Sequence, residues 1–156
     1  MNRSRMTFAA CASALALSAC GAASERTPEA SHTEAPRAQL AVKDAWARAA
    51  DSGGTASVYF TIVNTAAVAD TLASAKSEAA EEVGLHMSMM HGNTMHMAGL
   101  QSLPVPAADS VLFAPLGAHV MLTRTTHVLA VGDTVPLTLT FVSGQTLEVR
   151  AGVRLP

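Results

Sequence analysis

Alternating apolar and polar residues give the clearest structural signal in this chain. From Thr134 to Phe141 every second residue is a large apolar one, and residues 146–153 repeat the alternation. Because successive side chains of a β-strand point to opposite faces, each segment predicts a strand with one buried face. Ser143 and Gly144 between them predict a hairpin turn. The β-branched and aromatic run at residues 57–64 predicts a further strand.

Turn residues separate most of the other segments from about residue 41 onward. Gly132 with Asp133 marks one turn, and residues 51–54 (DSGG) mark another. The Ala-rich segment at residues 70–82 predicts one helix. Strands and helices do not alternate regularly along the chain, and no repeat of about 20–50 residues is present. We therefore predict an all-β fold for residues 41–156, as a sandwich or a barrel.

Composition and charge narrow the classes of function. The 156 residues carry ten Lys and Arg against twelve Asp and Glu, which gives a formal net charge of −2 and no basic run. A nucleic-acid interface needs clustered positive charge, so we expect no nucleic-acid partner. No Ser–His–Asp set and no pair of carboxylates occurs at a recognisable spacing. We therefore expect that the protein is not an enzyme.

Residues 1–20 have the pattern of an export signal. Arg3 and Arg5 precede an apolar run that is too short to span a bilayer, and this run ends at residues 17–21 (LSACG). The ending resembles the lipobox of bacterial lipoproteins, in which the cysteine becomes the lipid-modified first residue. We predict that Cys20 is lipidated and anchors the protein to a membrane on the periplasmic side of the bacterial envelope. An ordinary secretory signal that contains a cysteine is the alternative.

The predicted export signal changes the meaning of the two cysteines. Cys11 lies in the removed segment and Cys20 carries lipid, so the exported domain has no free thiol and no disulfide. Residues 21–40 are rich in Ala, Ser, Pro and Glu, and they predict a flexible linker that includes His32. Any soft-metal site in the exported domain must therefore use ligands other than thiolate.

Methionine and histidine are concentrated in one part of the chain. Five of the eight methionines lie within residues 87–97, and three of the six histidines lie in or beside this window. Strand alternation at residues 82–88 turns His86 away from the core together with Gly84. At residues 94–100 the same alternation places Met95 and Met97 on one face.

A second segment repeats this arrangement further along the chain. In residues 117–123, alternate residues form an apolar face, which leaves His119 and Met121 together on the other face. Thioethers that point away from the core beside imidazoles are poorly explained by packing. Soft thioethers select Cu(I), imidazole binds copper broadly, and hard ions prefer oxygen. Two His and two Met therefore predict a four-coordinate Cu(I) site.

The other His and Met residues carry less specific signals. The strand phase of Met87 predicts a core residue, as is common for methionine, and His127 is predicted to be structural. Five residues have two open interpretations, as loop residues or as a secondary metal site that could take Cu(II): Met89, Met90, His91, Met95 and His96.

The spacing of the four candidate ligands resembles a known signature. His86, ten residues, Met97, twenty-one residues, His119, one residue and Met121 form a pattern similar to that of the PCu(A)C family of periplasmic copper chaperones. Residues 44–48 (DAWAR), 59–64 (YFTIVN) and 132–137 (GDTVPL) resemble strands and a turn of that family. The resemblance covers about residues 40–153. It implies a cupredoxin-like β-sandwich of Greek-key type with these four side chains as Cu(I) ligands.

The resemblance also implies a function. Such a protein takes up copper in the periplasm and delivers it to a membrane acceptor, such as the copper centre of cytochrome oxidase or its assembly factor. A protein that sequesters envelope copper without dedicated delivery is the main alternative. A copper redox enzyme is disfavoured because a blue-copper site needs a Cys thiolate. A β-sandwich interaction module with incidental methionines is the remaining alternative.

Overall fold

The structure, a computed structural model, describes residues 39–155 of the chain. The described part consists of ten β-strands and their connections. The strands are β1 (Leu40–Arg48), β2 (Thr55–Asn64), β3 (Asp70–Lys76), β4 (Ala80–His91), β5 (Thr94–Leu100), β6 (Leu103–Val105), β7 (Asp109–Phe113), β8 (Ala118–Thr125), β9 (Thr134–Phe141) and β10 (Thr146–Arg154). The prediction of an all-β fold is confirmed.

The ten strands form one continuous hydrogen-bonded sheet. Their order is β5-β4-β8-β7-β2-β1-β10-β9-β3-β6, and β8 also pairs directly with β2. Most neighbours are antiparallel, but β1 pairs with β10 and β7 with β8 in parallel. Because several neighbours in the sheet are far apart in sequence, β4 comes to lie beside β8 although three other strands separate them along the chain. This pairing joins the two segments that carry the candidate ligands.

The apolar faces of the strands meet in one core. Alternate residues of β9 from Val135 to Phe141 are at most 2% exposed, as the alternation predicts. Phe60 of β2 stacks on Phe113 of β7, with ring centroids 4.3 Å apart. Full burial of one such side chain contributes about 1.5–3 kcal/mol to stability. Gly144, at a φ of 85°, closes the predicted hairpin between β9 and β10.

The prediction of a helix at residues 70–82 is wrong. This segment contains β3 and the first residues of β4, which are joined by a turn at residues 77–79. Alanine favours a helix by only a fraction of a kcal/mol per residue, and packing overrides so weak a preference. Ala75 of β3, Ala80 of β4 and Ala79 in the turn between them are buried in the core, where their small side chains fit into close packing.

Several sequence predictions fall outside the described residues. The export signal at residues 1–20, the lipidated Cys20 and nearly all of the linker at residues 21–40 belong to this group; β1 begins at Leu40. Across residues 39–155, no helix has the length and apolar character needed to cross a membrane.

Candidate metal centre

Two imidazoles on neighbouring strands form the centre of the site. His86 of β4 lies directly opposite His119 of β8 in antiparallel register, and their ring centroids are 5.9 Å apart. Residues in directly opposite positions project their side chains from the same face of a sheet. With metal–nitrogen distances of about 2.0–2.1 Å, two imidazoles bound to one ion have centroids about 5–6 Å apart. The spacing of this pair therefore suits a single metal ion.

Each of these two rings has a buried nitrogen without a hydrogen-bond partner. The Nδ1 atom of His119 lies 3.1 Å from the carbonyl oxygen of Gly117. A carbonyl only accepts, so we assign the proton to Nδ1, and Nε2 keeps its lone pair. Within the described residues, His119 Nε2 and His86 Nδ1 are buried and make no hydrogen bond. A buried polar atom left unpaired costs about 1–3 kcal/mol, and a metal ion would supply the missing partner.

The Gly117 carbonyl also holds the hairpin that carries the predicted ligands His86 and Met97. It accepts a second hydrogen bond, of 3.0 Å, from the backbone N–H of Ser88 in β4. One oxygen thus orients the His119 ring and holds the beginning of the β4–β5 hairpin beside β8. Such outer partners set the tautomer and direction of a metal-binding imidazole.

Burial distinguishes the two rings from ordinary surface histidines. His119 is only 3% exposed, and His86 is half-buried. Burial lowers the pKa of His86, and the positive charge that His119 can carry lowers it further. A lowered pKa keeps the His86 ring neutral near pH 7, which is the form that binds metal.

The strand phase predicted for β8 is confirmed, but the phase alone did not predict that His119 is buried. Val120 and Leu122 pack in the core, so His119 does point to the other face. The His119 ring is buried on that face because it lies between the rings of His86 and Tyr59. Their centroids are 5.9 Å and 6.2 Å from the centroid of His119.

The two thioethers lie on the same face as this pair by strand register. Met121, two residues beyond His119, is opposite Gly84 on one side and Ser57 on the other, and it is half-buried. The small neighbours leave room for its side chain. Met97 of β5 is paired with Ser88, two residues from His86, and it is 52% exposed. The register therefore brings all four predicted ligands to one face of β5, β4 and β8.

Gly84 is a residue of the site whose role the sequence patterns did not predict. A Cβ atom at position 84 would lie 3.2 Å from His86 Nε2 and 3.4 Å from Cδ2. The absence of a side chain therefore lets the His86 ring occupy its position. A lone glycine inside a predicted strand often marks such a close approach, and Gly84 within residues 82–88 is such a glycine.

A row of rings borders the site on the side of β2 and β1. Tyr59 lies beside His119, and the ring of Trp46 lies 4.6 Å from that of Tyr59. The guanidinium carbon of Arg154 is 4.1 Å from the centre of the Trp46 ring. The sequence patterns did not predict this contact because β1, β2 and β10 become neighbours only in the folded sheet.

The remaining candidates lie elsewhere in the fold. Met87 is partly buried against the core, which confirms its predicted role. His127 is exposed after β8, and its Nδ1 atom lies 2.9 Å from the hydroxyl of Thr126. The five residues with two open interpretations lie toward the end of the β4–β5 hairpin and are exposed: Met89, Met90, His91, Met95 and His96. Within residues 39–155, no group of three or more His, Cys, Asp or Glu is placed to hold a metal ion.

Comparison with known proteins places the chain in a family. The family described as "Putative lipoprotein LpqE-like" matches residues 40–153. A protein of Leifsonia xyli subsp. xyli, described as a putative lipoprotein, is 32% identical over 114 residues, which cover 72% of this chain and 68% of that one.

Several solved structures share the fold. The copper-bound PCuAC domain from PmoF2 is 27% identical with a TM-score of 0.63, and the match covers 75% of this chain and 93% of that domain. The Cu(I) form of DR1885 from Deinococcus radiodurans is 28% identical with a TM-score of 0.57, over 72% and 78% of the two chains. The fold and the family implied by the resemblance to PCu(A)C proteins are thereby confirmed. This chain belongs to the LpqE-like lipoprotein family, which is a family of the PCuAC type.

Proposed function

We propose that this protein is a copper chaperone of the bacterial envelope that binds Cu(I) through His86, Met97, His119 and Met121. One observation carries the proposal: two imidazoles 5.9 Å apart each keep a buried nitrogen without a hydrogen-bond partner. Copper-bound and Cu(I)-bound forms of structural relatives, the PmoF2 domain and DR1885, support the choice of metal.

The chemistry of the proposed ligands favours Cu(I) over other ions. Thioethers are soft, uncharged ligands that select Cu(I), whereas Mg²⁺ and Ca²⁺ require several oxygens. From Val83 to Ala108 the sequence contains no Asp, Glu or Cys, so the hairpin offers neither carboxylate nor thiolate. Such a ligand set also resists the disulfide formation that would disable a dithiol site outside the cytoplasm.

The unequal exposure of the ligands suits a protein that releases its cargo. His119 is buried and oriented by the Gly117 carbonyl, whereas Met97 is half-exposed on the edge strand β5. We infer that a ligand of the acceptor replaces Met97 first and that the imidazoles release the ion last. The predicted lipid on Cys20 would hold this exchange close to a membrane acceptor, such as the copper centre of cytochrome oxidase or its assembly factor.

A titration tests the site. The full chain competes for Cu(I) with a colorimetric chelator, beside the variants His119→Ala and His127→Ala. We expect one tightly bound Cu(I) in the parent and in His127→Ala, which removes an exposed histidine outside the proposed site. The affinity of His119→Ala should fall by at least about 100-fold, since even the loss of an outer-shell partner costs about 10–100-fold. Equal binding by His119→Ala and the parent would refute the proposed site.

Delivery and sequestration differ in what happens after binding. The Cu(I)-loaded protein is mixed with the apo copper domain of a cytochrome oxidase subunit, and the copper on each is measured after separation. A chaperone transfers the ion within the mixing time, whereas a sequestration protein retains it. Retention would leave the Cu(I) site in place and replace delivery by storage as the function.

A further inference from the structure

The β4–β5 hairpin extends beyond the rest of the sheet. The pairing of β4 with β8 ends at Met87, opposite Ala118, but its pairing with β5 continues to His91, opposite Thr94. Every residue from Met89 to Gly99 is exposed. The end of the hairpin is therefore a ribbon of two strands that is accessible from both faces.

Strand alternation gives the two faces of this ribbon different ligands. The face that is continuous with His86 carries Met90 opposite Met95, and then Met97. The other face carries Met89 directly opposite His96, with His91 next along β4. The second set therefore points away from the proposed Cu(I) site, and it contains both exposed imidazoles of the ribbon.

The two imidazoles of the second face have the spacing of a chelating pair. The rings of His91 and His96 have centroids 6.1 Å apart and planes at 90°. This separation is close to that of the buried pair, 5.9 Å, and near the value of about 5–6 Å for two imidazoles on one ion. Both rings are exposed, so both can turn toward a ligand.

The surroundings determine which ion such a pair would take. No Asp, Glu, Lys or Arg occurs between Glu82 and Asp109. The ion therefore has to be one that imidazole and thioether bind without help from carboxylates. Among divalent first-row metals, nitrogen ligands bind Cu(II) most tightly, and an exposed site leaves open positions for water around it.

We propose that His91 and His96, with Met89 as a weaker ligand, form a second copper site that takes Cu(II) on the opposite face of the hairpin. This site shares no ligand with the proposed Cu(I) site. Its ligands lie on β4 and β5, which also carry two of the four proposed Cu(I) ligands, so the hairpin presents a different oxidation state of copper on each of its faces.

The test is a titration of the full chain with Cu(II), followed by electron paramagnetic resonance and by equilibrium dialysis. The parent, the double variant His91→Ala/His96→Ala, and the single variants His127→Ala and His119→Ala are compared. His91 and His96, the two residues replaced in the double variant, are exposed. Circular dichroism verifies that each variant keeps its strands. We expect the double variant to bind one Cu(II) fewer than the parent and to lose a signal split by two nitrogens.

The controls separate this proposal from the Cu(I) site. His127→Ala and His119→Ala should both retain the Cu(II) ion with two nitrogen ligands. The double variant should bind Cu(I) within about twofold of the parent, because it removes none of the four proposed Cu(I) ligands. If the double variant keeps every equivalent of Cu(II), or if His119→Ala loses that ion instead, the second site does not exist. A failure of His119→Ala to weaken Cu(I) binding would overturn the chaperone site and leave the Cu(II) site standing.

Discussion

Two pairs of imidazoles, each with at least one member on the β4–β5 hairpin, have almost the same spacing and opposite surroundings. His86 and His119 are 5.9 Å apart, and His91 and His96 are 6.1 Å apart. The first pair joins β4 to β8 and leaves two buried nitrogens without partners, whereas the second lies on an exposed ribbon. Distance between rings therefore does not distinguish the two pairs. Their difference lies in how the fold holds each pair before a metal arrives.

The buried pair is held in place at a cost to the empty protein. The Gly117 carbonyl orients His119, the missing side chain of Gly84 admits His86, and the unpaired nitrogens oppose folding until an ion binds them. No described contact holds the exposed pair in this way. We therefore expect tight, fold-linked binding at the first pair and weaker, more accessible binding at the second.

The largest expected difference is in the stabilisation that each ion confers. His86 and His119 come together only in the folded sheet, so the unfolded chain cannot reproduce their site. A free Cu(I) concentration of 100 times Kd should raise the free energy of unfolding by about 2.7 kcal/mol. Only four residues separate His91 from His96, so the unfolded chain can also bind Cu(II) there, and binding to the unfolded state reduces the effect.

Chemical denaturation at matched saturation measures this difference. We expect Cu(II) at the exposed pair to give less than half the stabilisation of Cu(I) at the buried pair. His119→Ala should abolish the Cu(I) effect. Equal stabilisation at the two pairs would mean that the exposed pair is also preorganised by the fold, and the comparison would fail.

The next effect concerns the thioethers on the Cu(I) face. Met97→Leu removes a proposed ligand with little change of side-chain volume, so the fold should be retained. We expect Cu(I) affinity to fall by at least about tenfold, the lower limit for loss of an outer-shell partner. Met95→Leu is the matched control, because Met95 is 49% exposed, against 52% for Met97, and lies one pair further from His86 on the same face.

Competition with the colorimetric chelator measures both methionine variants. A loss of affinity confined to Met97→Leu supports Met97 as a ligand. Equal losses in both variants would mean that the ion is shared along the methionine face. No loss in either would remove Met97 from the site.

A smaller effect should follow from adding one methyl group beside His86. In Gly84→Ala the new Cβ would lie 3.2 Å from His86 Nε2, so the ring has to shift. We expect a loss of Cu(I) affinity of about tenfold, since the geometry of ligands is set by their neighbours. Gly99→Ala is the control, because residue 99 is directly opposite His86 on β5 and has open space for a Cβ. Equal affinity in Gly84→Ala and Gly99→Ala would show that Gly84 does not position the ring.

These contrasts also show how much of the fold and of the site can be predicted from the sequence. Alternation identified β9, the hairpin to β10 and the outward phase of His119, because a period of two survives in a single sequence. Spacing together with a family resemblance selected the four candidate ligands. The direct pairing of His86 with His119 was not predictable, since the register of β4 against β8 depends on contacts between distant segments.

The features that the sequence did not predict correctly have the same physical origin. The helix expected at residues 70–82 was an inference from local preference, and the core replaced it with extended backbone around small side chains. The burial of His119 results from Tyr59 and His86, which the sheet brings from two other strands. Assigning residues to the two faces of the hairpin requires its register, which places Met89 opposite His96 and Met90 opposite Met95. The sequence alone does not give that register.

The smallest effect concerns the empty buried pair and its response to acid. Burial first, and then His119, lowers the pKa of His86 from its ordinary value of 6.5, so below pH 6.5 the unfolded chain binds a proton that the folded protein resists. The stability contributed by neutral His86 is therefore complete above pH 6.5. It decreases as the pH falls from there toward the lowered pKa of the folded state.

Denaturation of the apo protein between about pH 5 and 7.5, above the range of ordinary carboxylates, should show this decrease. His86→Gln should reduce the slope, and so should saturation with Cu(I), because the bound ion keeps the ring unprotonated. A full slope in His86→Gln would assign the acid response to another group and would show that the burial of His86 is not its cause.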